Sequence, residues 1–395
     1  MWELRRVDEV LSRALPLIEP PGGLRVSVTG ALGMYLYEDV ESPLELPPRP
    51  KSTVDGFAVD HLDCAGASQS SPRVLRLRRG TVPPGSAPPP LGRGEAVRVE
   101  TGTYLPDGAD AVVPVEEAEV EGDRVIVYRS PARYENVSLP GEELSRGPLA
   151  RRGERLRPWH LAALRACGID EVAVYDLGAT ILATGDEFAS GGAVPFTVEL
   201  VRGWLAEHGV RVLGVDTLPD DRSLIAARLR EALSSSWLVV ATGGTSMGSK
   251  DYTVRAIGDL GPSYMAHGLA LRPGKTTCLS VVGGRVVLAV SGLPVAALSA
   301  LESVLRPLLR RMGLKIPERP RARVRLARRV SVKLGLRGFV RLRLFENKGV
   351  LYGEPLMVGG SGSLNSLLRA DAFLTVPEDV EGYDEGEEVE VELVG

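Results

Sequence analysis

Strands and helices alternate between residues 180 and 309, and this alternation constrains the fold more than any other feature of the sequence. Runs of aliphatic and β-branched residues alternate there with segments whose apolar residues recur at helical spacing. The predicted elements are, in chain order, strand 180–184, helix 198–207, strand 210–215, helix 223–233, strand 237–242, helix 253–257, strand 286–290 and helix 294–309. Because strands that alternate with helices form a mostly parallel sheet, we predict an α/β domain here.

The segments on either side of this domain have a different pattern. Short apolar runs broken by proline and glycine fill residues 53–130 and again residues 317–395, which predicts a small β domain before the α/β domain and another after it. Residues 7–18 have helical spacing, and a helix predicted at 161–167 ends at Gly168. A chain of 395 residues is too long for one core, so we expect two to four domains.

Composition and charge disfavour several classes of protein. The formal net charge of −4 argues against a nucleic-acid-binding protein. Five arginines between residues 321 and 329 alternate with apolar residues, so we expect a solvated strand face there rather than a site for a polyanion. Cys64, Cys167 and Cys278 are too few and too far apart for a disulfide framework or a CxxC metal site. With no signal peptide or membrane-spanning run in the sequence, we predict a cytoplasmic protein.

A glycine-rich loop follows the predicted strand 237–242, and residues 242–251 read TGGTSMGSKD. Ligands of open α/β sheets bind beyond the carboxyl ends of the strands. Adjacent glycines let successive backbone N–H groups point at one anion, and the hydroxyls of Thr245, Ser246 and Ser249 add donors. Phosphate or an oxyanion such as molybdate would suit this loop, whereas the GK[ST] ending of a P-loop is missing. A glycine-rich turn without a ligand is an equally good interpretation of the loop alone.

Carboxylates and cations accompany the loop. The carboxylates are Asp186, Glu187, Asp220, Asp221 and Asp251. Several carboxylates beside a phosphate site favour Mg²⁺ binding, but Asp221 and Asp251 each precede a helical run and could equally be helix caps. Residues 272–275 read RPGK, and Arg272 and Lys275 could either clamp a phosphate or form an exposed basic turn. The histidines show no zinc spacing, and we expect His267 not to touch a ligand.

Further motifs extend over nearly the whole chain. They read PKSTVDGFA at 50–58, GEAVRVETG at 94–102, LPDGADAVV at 105–113, GEE at 141–143, ATGDE at 183–187, GGTSMGSKDY at 243–252, RPGK at 272–275 and SGSLNSL at 361–367. In this order they resemble the signatures of the molybdopterin molybdenumtransferase family, also called the MoeA family, which includes the gephyrin E domain. Each motif alone has low specificity, but their common order is a strong signal.

The resemblance implies a multidomain α/β plus β fold with four parts. They are an elongated N-terminal domain at 1–45 and 135–175, an inserted β domain at 46–134, a molybdopterin-binding α/β domain at 176–315 and a C-terminal β barrel at 316–395. It also implies a homodimer whose site lies between the second domain of one subunit and the third and fourth domains of the other. Asp55 and Thr101 would then complete the pocket of the neighbouring subunit.

The resemblance also implies the reaction, which is Mg²⁺-dependent cleavage of adenylylated molybdopterin with release of AMP and insertion of molybdate or tungstate into the dithiolene. A molybdopterin adenylyltransferase is a candidate partner, and neither nucleic acid nor a membrane is expected. The implied catalytic residues are Asp55, Thr101, Glu187, Asp221 and Asp251, of which Glu187, Asp221 and Asp251 would bind Mg²⁺. The implied residues for the phosphates, the oxyanion and the pterin are Thr184, Gly185, Gly243, Gly244, Thr245, Ser246, Gly248, Arg272, Pro273, Lys275, Pro294, Arg341, Ser361 and Ser363.

Three positions depart from the family pattern. The family's D-S-N is here FTV at 196–198, its L-P-G-N-P is LPVAA at 293–297, and the arginine expected three residues before Phe339 is Leu336. These losses favour an alternative hypothesis, a non-catalytic paralogue or scaffold protein that keeps the fold, while the retained carboxylates disfavour it. Adenylylation of molybdopterin is a third hypothesis, against which the two β domains argue.

Overall fold

The computed structural model of the chain describes residues 4–82, 84–245, 251–356 and 360–394. Contacts between these residues divide the chain into two compact units. The first unit contains Met1–Glu38, Arg151–Leu161 and Glu171–Gly395, and the second contains Asp39–Ala150 and Ala162–Asp170. The first unit therefore holds both the predicted α/β domain and the predicted barrel.

The α/β domain is built on a six-stranded sheet. Its strands lie in the order Arg211–Leu218, Gly178–Thr184, Leu238–Thr242, Arg285–Val290, Cys278–Val282 and Tyr264–His267. The first four are parallel to one another, and Cys278–Val282 pairs antiparallel with both of its neighbours. The prediction of a mostly parallel sheet is therefore confirmed, although the last two strands were not predicted. The second and third strands are buried along their whole length, which explains why their sequences contain no charged residue.

Helices cover this sheet, and all of them except the short helix Asp186–Ala189 lie where the sequence predicted a helix. They are Asp186–Ala189, Thr197–Glu207, Arg222–Ser235, Tyr252–Asp259, Pro294–Ala300 and Arg306–Arg311. The predicted helix 294–309 runs on through a π-helical turn, Leu301–Leu305, that joins the last two. The N-terminal helix Val7–Ala14 buries Val7, Val10 and Leu11 in the same core. Helix Pro158–Ala166 ends at Gly168, whose φ of 74° is typical of a helix terminus.

The C-terminal domain is a closed five-stranded barrel. Its strands follow the order Arg337–Asn347, Val350–Pro355, Arg321–Leu326, Glu388–Leu393 and Ala372–Val376, and the last pairs again with the first. A short helix, Leu364–Leu368, and the strand pair Val330–Ser331 and Gly382–Tyr383 complete it. Strand Leu271–Arg272 of the α/β domain pairs with barrel strand Arg337–Asn347, so the cationic turn is hydrogen-bonded to the barrel.

The strand Arg321–Leu326 of the barrel confirms the prediction from composition for Arg321 and Arg323, whereas Arg328 and Arg329 lie beyond the strand. Arg321 forms an ion pair with Glu390 at 2.8 Å, and Arg323 forms one with Glu388 at 3.5 Å. These arginines alternate with buried Val324 and Leu326. This strand therefore has the expected solvated face, with its charges paired across the sheet.

The second unit contains the predicted small β domain. Its sheet has the strand order Ala111–Pro114, Gly56–Val59, Glu95–Val99, Arg73–Val82, Arg124–Val127 and Ala118–Glu121. Two short ladders pair Val137–Ser138 with Lys51–Ser52 and Gly147–Ala150 with Val40–Ser42. Among the residues described, no helix has the length and hydropathy needed to cross a membrane.

Candidate active site

The glycine loop packs tightly against its neighbours. Gly243 and Gly244 have φ angles of 92° and 59°. A Cβ on Gly243 would lie 2.4 Å from the carbonyl oxygen of Thr184, and one on Gly244 would lie 2.3 Å from the Oγ1 atom of Thr253. The Thr253 hydroxyl donates to the Gly243 carbonyl at 3.2 Å and lies 2.9 Å from the Thr184 hydroxyl. Packing alone therefore requires both glycines, whether or not a ligand binds. The predicted ligands Ser246 and Gly248 lie outside the described residues.

The loops that follow three neighbouring parallel strands meet at this place. The Gly185 N–H donates to the Leu218 carbonyl at 3.0 Å, and the Gly243 N–H donates to the Val290 carbonyl at 3.1 Å. The Thr197 hydroxyl donates to the Gly292 carbonyl at 2.6 Å. Thr197 is the middle residue of the FTV sequence that replaces D-S-N, so this departure keeps a hydroxyl that fixes a loop of the site.

The cationic turn borders a cavity of about 450 Å³ between the α/β domain and the barrel. Arg272, Pro273, Lys275 and Ser291 line it from the α/β domain, and Leu336 and Ser361 line it from the barrel. The cavity lining contains two cations and no carboxylate among the residues described. It is therefore an electropositive pocket that suits a phosphate or an oxyanion.

Contacts near the sheet edge connect the cationic turn to the glycine loop. The hydroxyls of Thr245 and Thr276 lie 3.4 Å apart, and the ring of His267 lies beside the backbone of both residues. Burial lowers the pKa of His267, although the nearby charge of Asp251 opposes that shift. At neutral pH the imidazole is therefore uncharged and acts as a bridge between two loops. Our expectation that His267 does not touch a ligand stays a prediction, but the sequence did not reveal its position between the two loops.

Asp251 is the most unusual carboxylate of the site. It is only 8% exposed, and its Oδ1 atom has no hydrogen-bond partner among the described residues. Burial raises its pKa, against the charges of His267 and Arg255. Asp251 occupies the N-cap position of helix Tyr252–Asp259 but its side chain caps no N–H group. Because a buried carboxylate oxygen without a partner is costly, Asp251 fits a cation ligand better than a helix cap.

Asp221 and Glu187 have different surroundings. The Oδ1 atom of Asp221 accepts from the N–H groups of Ser223 and Leu224 at 2.8 and 2.9 Å, so the helix-cap interpretation is confirmed for Asp221. Glu187 is exposed, and its carboxylate folds back to within 2.8 Å of the place that a Cβ on Gly185 would take. The ligand atoms of these two residues and Asp251 do not all lie within 4.8 Å of one another in the described part of the chain. Their joint Mg²⁺ role stays a prediction.

Asp55 and Thr101 lie together in the second unit. The N–H and the hydroxyl of Thr101 donate to the Oδ1 atom of Asp55 at 2.7 and 2.9 Å. These two hydrogen bonds, the backbone one first, lower the pKa of Asp55, which is therefore ionised at neutral pH. Both residues are exposed. The sequence thus identified a charged and firmly held pair, whose role stays a prediction.

Three other predicted ligands have structural partners. Arg341 is 6% exposed and donates to the Ser366 hydroxyl and to the carbonyls of Phe339 and Leu356 at 3.1 to 3.3 Å. Burial lowers its pKa. Ser363 caps helix Leu364–Leu368, and Pro294 is the buried first residue of helix Pro294–Ala300. Each therefore supports a wall of the barrel or the sheet, and direct contact with a substrate stays a prediction.

A second group of titratable residues lies in the small β domain. His61 Nδ1 is 2.7 Å from Asp110 Oδ2, and Asp60 Oδ1 accepts from the Leu62 N–H at 2.9 Å. The guanidinium of Arg133 also lies 3.4 Å from Asp110. Because these oxygens already have protein partners and a cation stands beside them, we assign this group to local structure rather than to a metal site.

Comparison with protein families identifies all three parts of the chain. Residues 5–168 match the MoeA N-terminal region (domain I and II). Residues 180–311 match a domain described as a probable molybdopterin binding domain. Residues 323–394 match the MoeA C-terminal region (domain IV).

Individual relatives agree with these matches over almost the full length. A Methanocaldococcus jannaschii protein named for molybdopterin biosynthesis is 31% identical, over 93% of this chain and 92% of its own. Molybdopterin molybdenumtransferase 2 of Mycobacterium tuberculosis is 30% identical, over 98% of this chain and 97% of its own. The crystal structure of a molybdopterin biosynthesis MoeA protein from Pyrococcus horikoshii superimposes with a TM-score of 0.77 at 28% identity, covering 99% of this chain and all of that one.

The fold defines the class of this protein, an α/β domain joined to a β barrel, with an electropositive cavity between the two. Since the relatives match over nearly the whole chain, the resemblance seen in the motifs is confirmed. The chain belongs to the MoeA family of molybdenum-cofactor biosynthesis, and its enzyme class is that of the transferases.

Proposed function

We propose that this enzyme cleaves adenylylated molybdopterin with release of AMP and inserts molybdate, or the chemically similar tungstate, into the dithiolene. One observation carries the proposal, namely that the glycine loop, the cationic turn and the buried Asp251 adjoin through contacts of Thr245, Thr276 and His267. This arrangement gathers anions beside a carboxylate, as a metal-assisted reaction on a phosphate requires.

The residues of the pocket would divide the work between binding and charge stabilisation. Arg272 and Lys275 would hold the phosphates and the oxyanion and stabilise the negative charge that develops on them. Ser291 and Ser361 line the same cavity and would donate hydrogen bonds from opposite walls. Gly243 and Gly244 let the loop pack closely against Thr184 and Thr253, and this packing would hold the loop backbone in place for the ligand.

Asp251 would hold Mg²⁺. The donor set fits this ion in part, because Asp251 offers a buried carboxylate oxygen without a partner in the described residues, while the Oδ1 atom of Asp221 caps a helix. When bound, Mg²⁺ would neutralise charge on the phosphate oxygens. We propose Glu187, which is exposed, as the residue that completes the set.

The reaction is tested with purified protein, adenylylated molybdopterin, molybdate and Mg²⁺, and the AMP released is measured by chromatography. We expect AMP to form in proportion to the metal-loaded cofactor, and to stop when EDTA removes Mg²⁺ and resume when Mg²⁺ is added in excess. If calorimetry shows that the protein does not bind the pterin nucleotide, the protein is instead a scaffold. Consumption of ATP with molybdopterin would identify the adenylylating enzyme.

We further propose a homodimer in which Asp55 and Thr101 complete the pocket of the neighbouring subunit. Their exposed position in a separate compact unit supports this proposal, because an ionised carboxylate held by two hydrogen bonds needs no further partner of its own chain. The proposal predicts complementation between two inactive variants. An equal mixture of Asp55→Asn and Lys275→Gln chains, refolded together, is expected to recover about a quarter of wild-type turnover, because half of the dimers are mixed and each has one intact site.

Each variant refolded with itself serves as the control and should remain inactive. Analytical ultracentrifugation confirms that the mixed sample is dimeric. A mixture no more active than its two components would place Asp55 and Lys275 of the same chain in one site and reject the shared pocket.

A further inference from the structure

A cavity of about 520 Å³ lies on the C-terminal barrel and shares no lining residue with the substrate pocket. Four arginines line it, and they are Arg328, Arg329, Arg343 and Arg369. Glu354 is its one carboxylate among the described residues, and Pro355 and Leu356 supply an apolar wall. The cavity therefore carries a clear excess of positive charge.

Two of the four arginines have carboxylate partners. Arg328 forms an ion pair with Glu354, and Arg329 lies 3.3 Å from Asp384, which is outside the cavity. Within the described residues, no carboxylate lies within ion-pair distance of Arg343 or Arg369. The nearby acid Asp371 accepts from the Leu344 N–H at 2.8 Å, so its oxygen serves the backbone. Two guanidinium groups of the same cavity are thus uncompensated, in contrast to the paired arginines of strand Arg321–Leu326.

Hydrogen bonds hold in place the part of the lining that contains Leu356 and Ser366. Buried Arg341 donates to the Leu356 carbonyl at 3.1 Å and to the Ser366 hydroxyl at 3.2 Å. The Ser366 hydroxyl in turn donates to the Ser363 carbonyl at 2.8 Å. This network orders the backbone that carries Ser363 and Asn365, whose polar side chains also line the cavity. The cavity is therefore pre-organised, which lowers the entropic cost of binding.

We propose that this cavity binds a small phosphorylated organic molecule. Guanidinium groups match phosphate oxygens with paired N–H donors, and Arg343 and Arg369 have these donors available. The hydroxyl of Ser363 and the amide of Asn365 add neutral donors, and Leu356 and Pro355 offer contact for an organic part. The volume lies in the range of small-molecule sites. Its lining residues are separate from those of the substrate cavity, although the family resemblance assigns one of them, Ser363, to substrate binding.

Calorimetry with inorganic pyrophosphate as the probe tests the proposal. The titration uses the full chain with Arg272→Gln and Lys275→Gln, which removes the cations of the substrate pocket and leaves the barrel cavity as the anion site. We expect this protein to bind pyrophosphate, and the further changes Arg343→Gln and Arg369→Gln to weaken binding at least about tenfold, because each removes a charge-assisted hydrogen bond.

Arg323→Gln in the same background is the matched control. It also removes one arginine from the barrel, but Arg323 is paired with Glu388 and lies outside the cavity, so binding should not change. Arg343→Lys keeps the charge without the paired donors and should give an intermediate affinity. Circular dichroism verifies that each variant is folded. The proposal is overturned if the substrate-pocket variant no longer binds pyrophosphate, or if Arg343→Gln with Arg369→Gln binds it as well as Arg323→Gln does.

Discussion

Replacement of Lys275 by glutamine is expected to lower the turnover number for AMP release roughly 100- to 1,000-fold. Lys275 and Arg272 are the two cations of a cavity whose described lining contains no carboxylate. The substitution would therefore remove one of the two cations that stabilise the negative charge developing on the phosphate or the oxyanion. Steady-state kinetics of AMP release give kcat and KM for both proteins.

The size of each kinetic change distinguishes two roles for Lys275. A fall in kcat would show that Lys275 stabilises the transition state more than the bound substrate. A rise in KM alone would show that Lys275 binds the substrate and the transition state equally well. Lys315→Gln is the matched control, because it removes the same charge from an exposed ion pair with Glu154 at 3.1 Å. The control should retain wild-type kinetics. Equal kinetics for Lys275→Gln and Lys315→Gln would remove the cationic turn from the mechanism.

The sequence predicted the parallel core of the fold because that core has a strong local signal. Strand Leu238–Thr242 is buried at every position and therefore reads as an uninterrupted aliphatic run. Helix Thr197–Glu207 keeps its apolar residues on one face, and Gly209 follows it with a φ of 69°. Burial on a sheet and termination at glycine are thus both visible in the residue types themselves.

The antiparallel edge of the same sheet was missed although part of its signal was present. Strands Cys278–Val282 and Arg285–Val290 are apolar runs joined by Gly283 and Gly284, whose φ angles are 53° and 75°. Two glycines with positive φ form a tight hairpin turn, so this pair could have been predicted. Strand Tyr264–His267 has only four residues and no flanking turn signal of that kind, and its place depends on pairing with Cys278–Val282.

The candidate site was only partly predictable for a physical reason. Asp221 and Asp251 have the same local pattern, since each precedes a helical run, yet Asp221 caps its helix and Asp251 does not. The difference arises from burial of Asp251 beside His267, which comes from a strand sixteen residues further along the chain. Long-range contacts of this kind leave no periodic trace in the sequence. The contact of Thr245 with Thr276 was invisible for the same reason.

Glu302→Gln is expected to lower the free energy of unfolding by about 3 kcal/mol, because it breaks a buried ionic network. Glu302 and Arg306 are only 7% and 8% exposed. The Glu302 carboxylate accepts from Arg319 at 2.7 Å and from the indole of Trp204 at 2.8 Å, while Arg306 also reaches Glu392 of the barrel at 2.8 Å. The network thus connects the π-helical turn Leu301–Leu305 to the barrel, and no sequence pattern indicated it.

Loss of Glu302 leaves the guanidinium groups of buried Arg306 and partly buried Arg319 with one carboxylate, and that imbalance sets the expected size of the effect. Glu392 still neutralises part of the charge, so the loss should lie at the lower end of the range for broken buried pairs, which is about 3 to 5 kcal/mol. Urea unfolding followed by circular dichroism measures it, and Glu231→Gln is the control because its pair with Arg228 is exposed and should contribute less than about 1 kcal/mol. If both variants lower the free energy of unfolding by the same small amount, the attraction within the network only offsets the cost of desolvating its charges. The apolar contacts between the barrel and helix Pro294–Ala300 would then hold the two domains together.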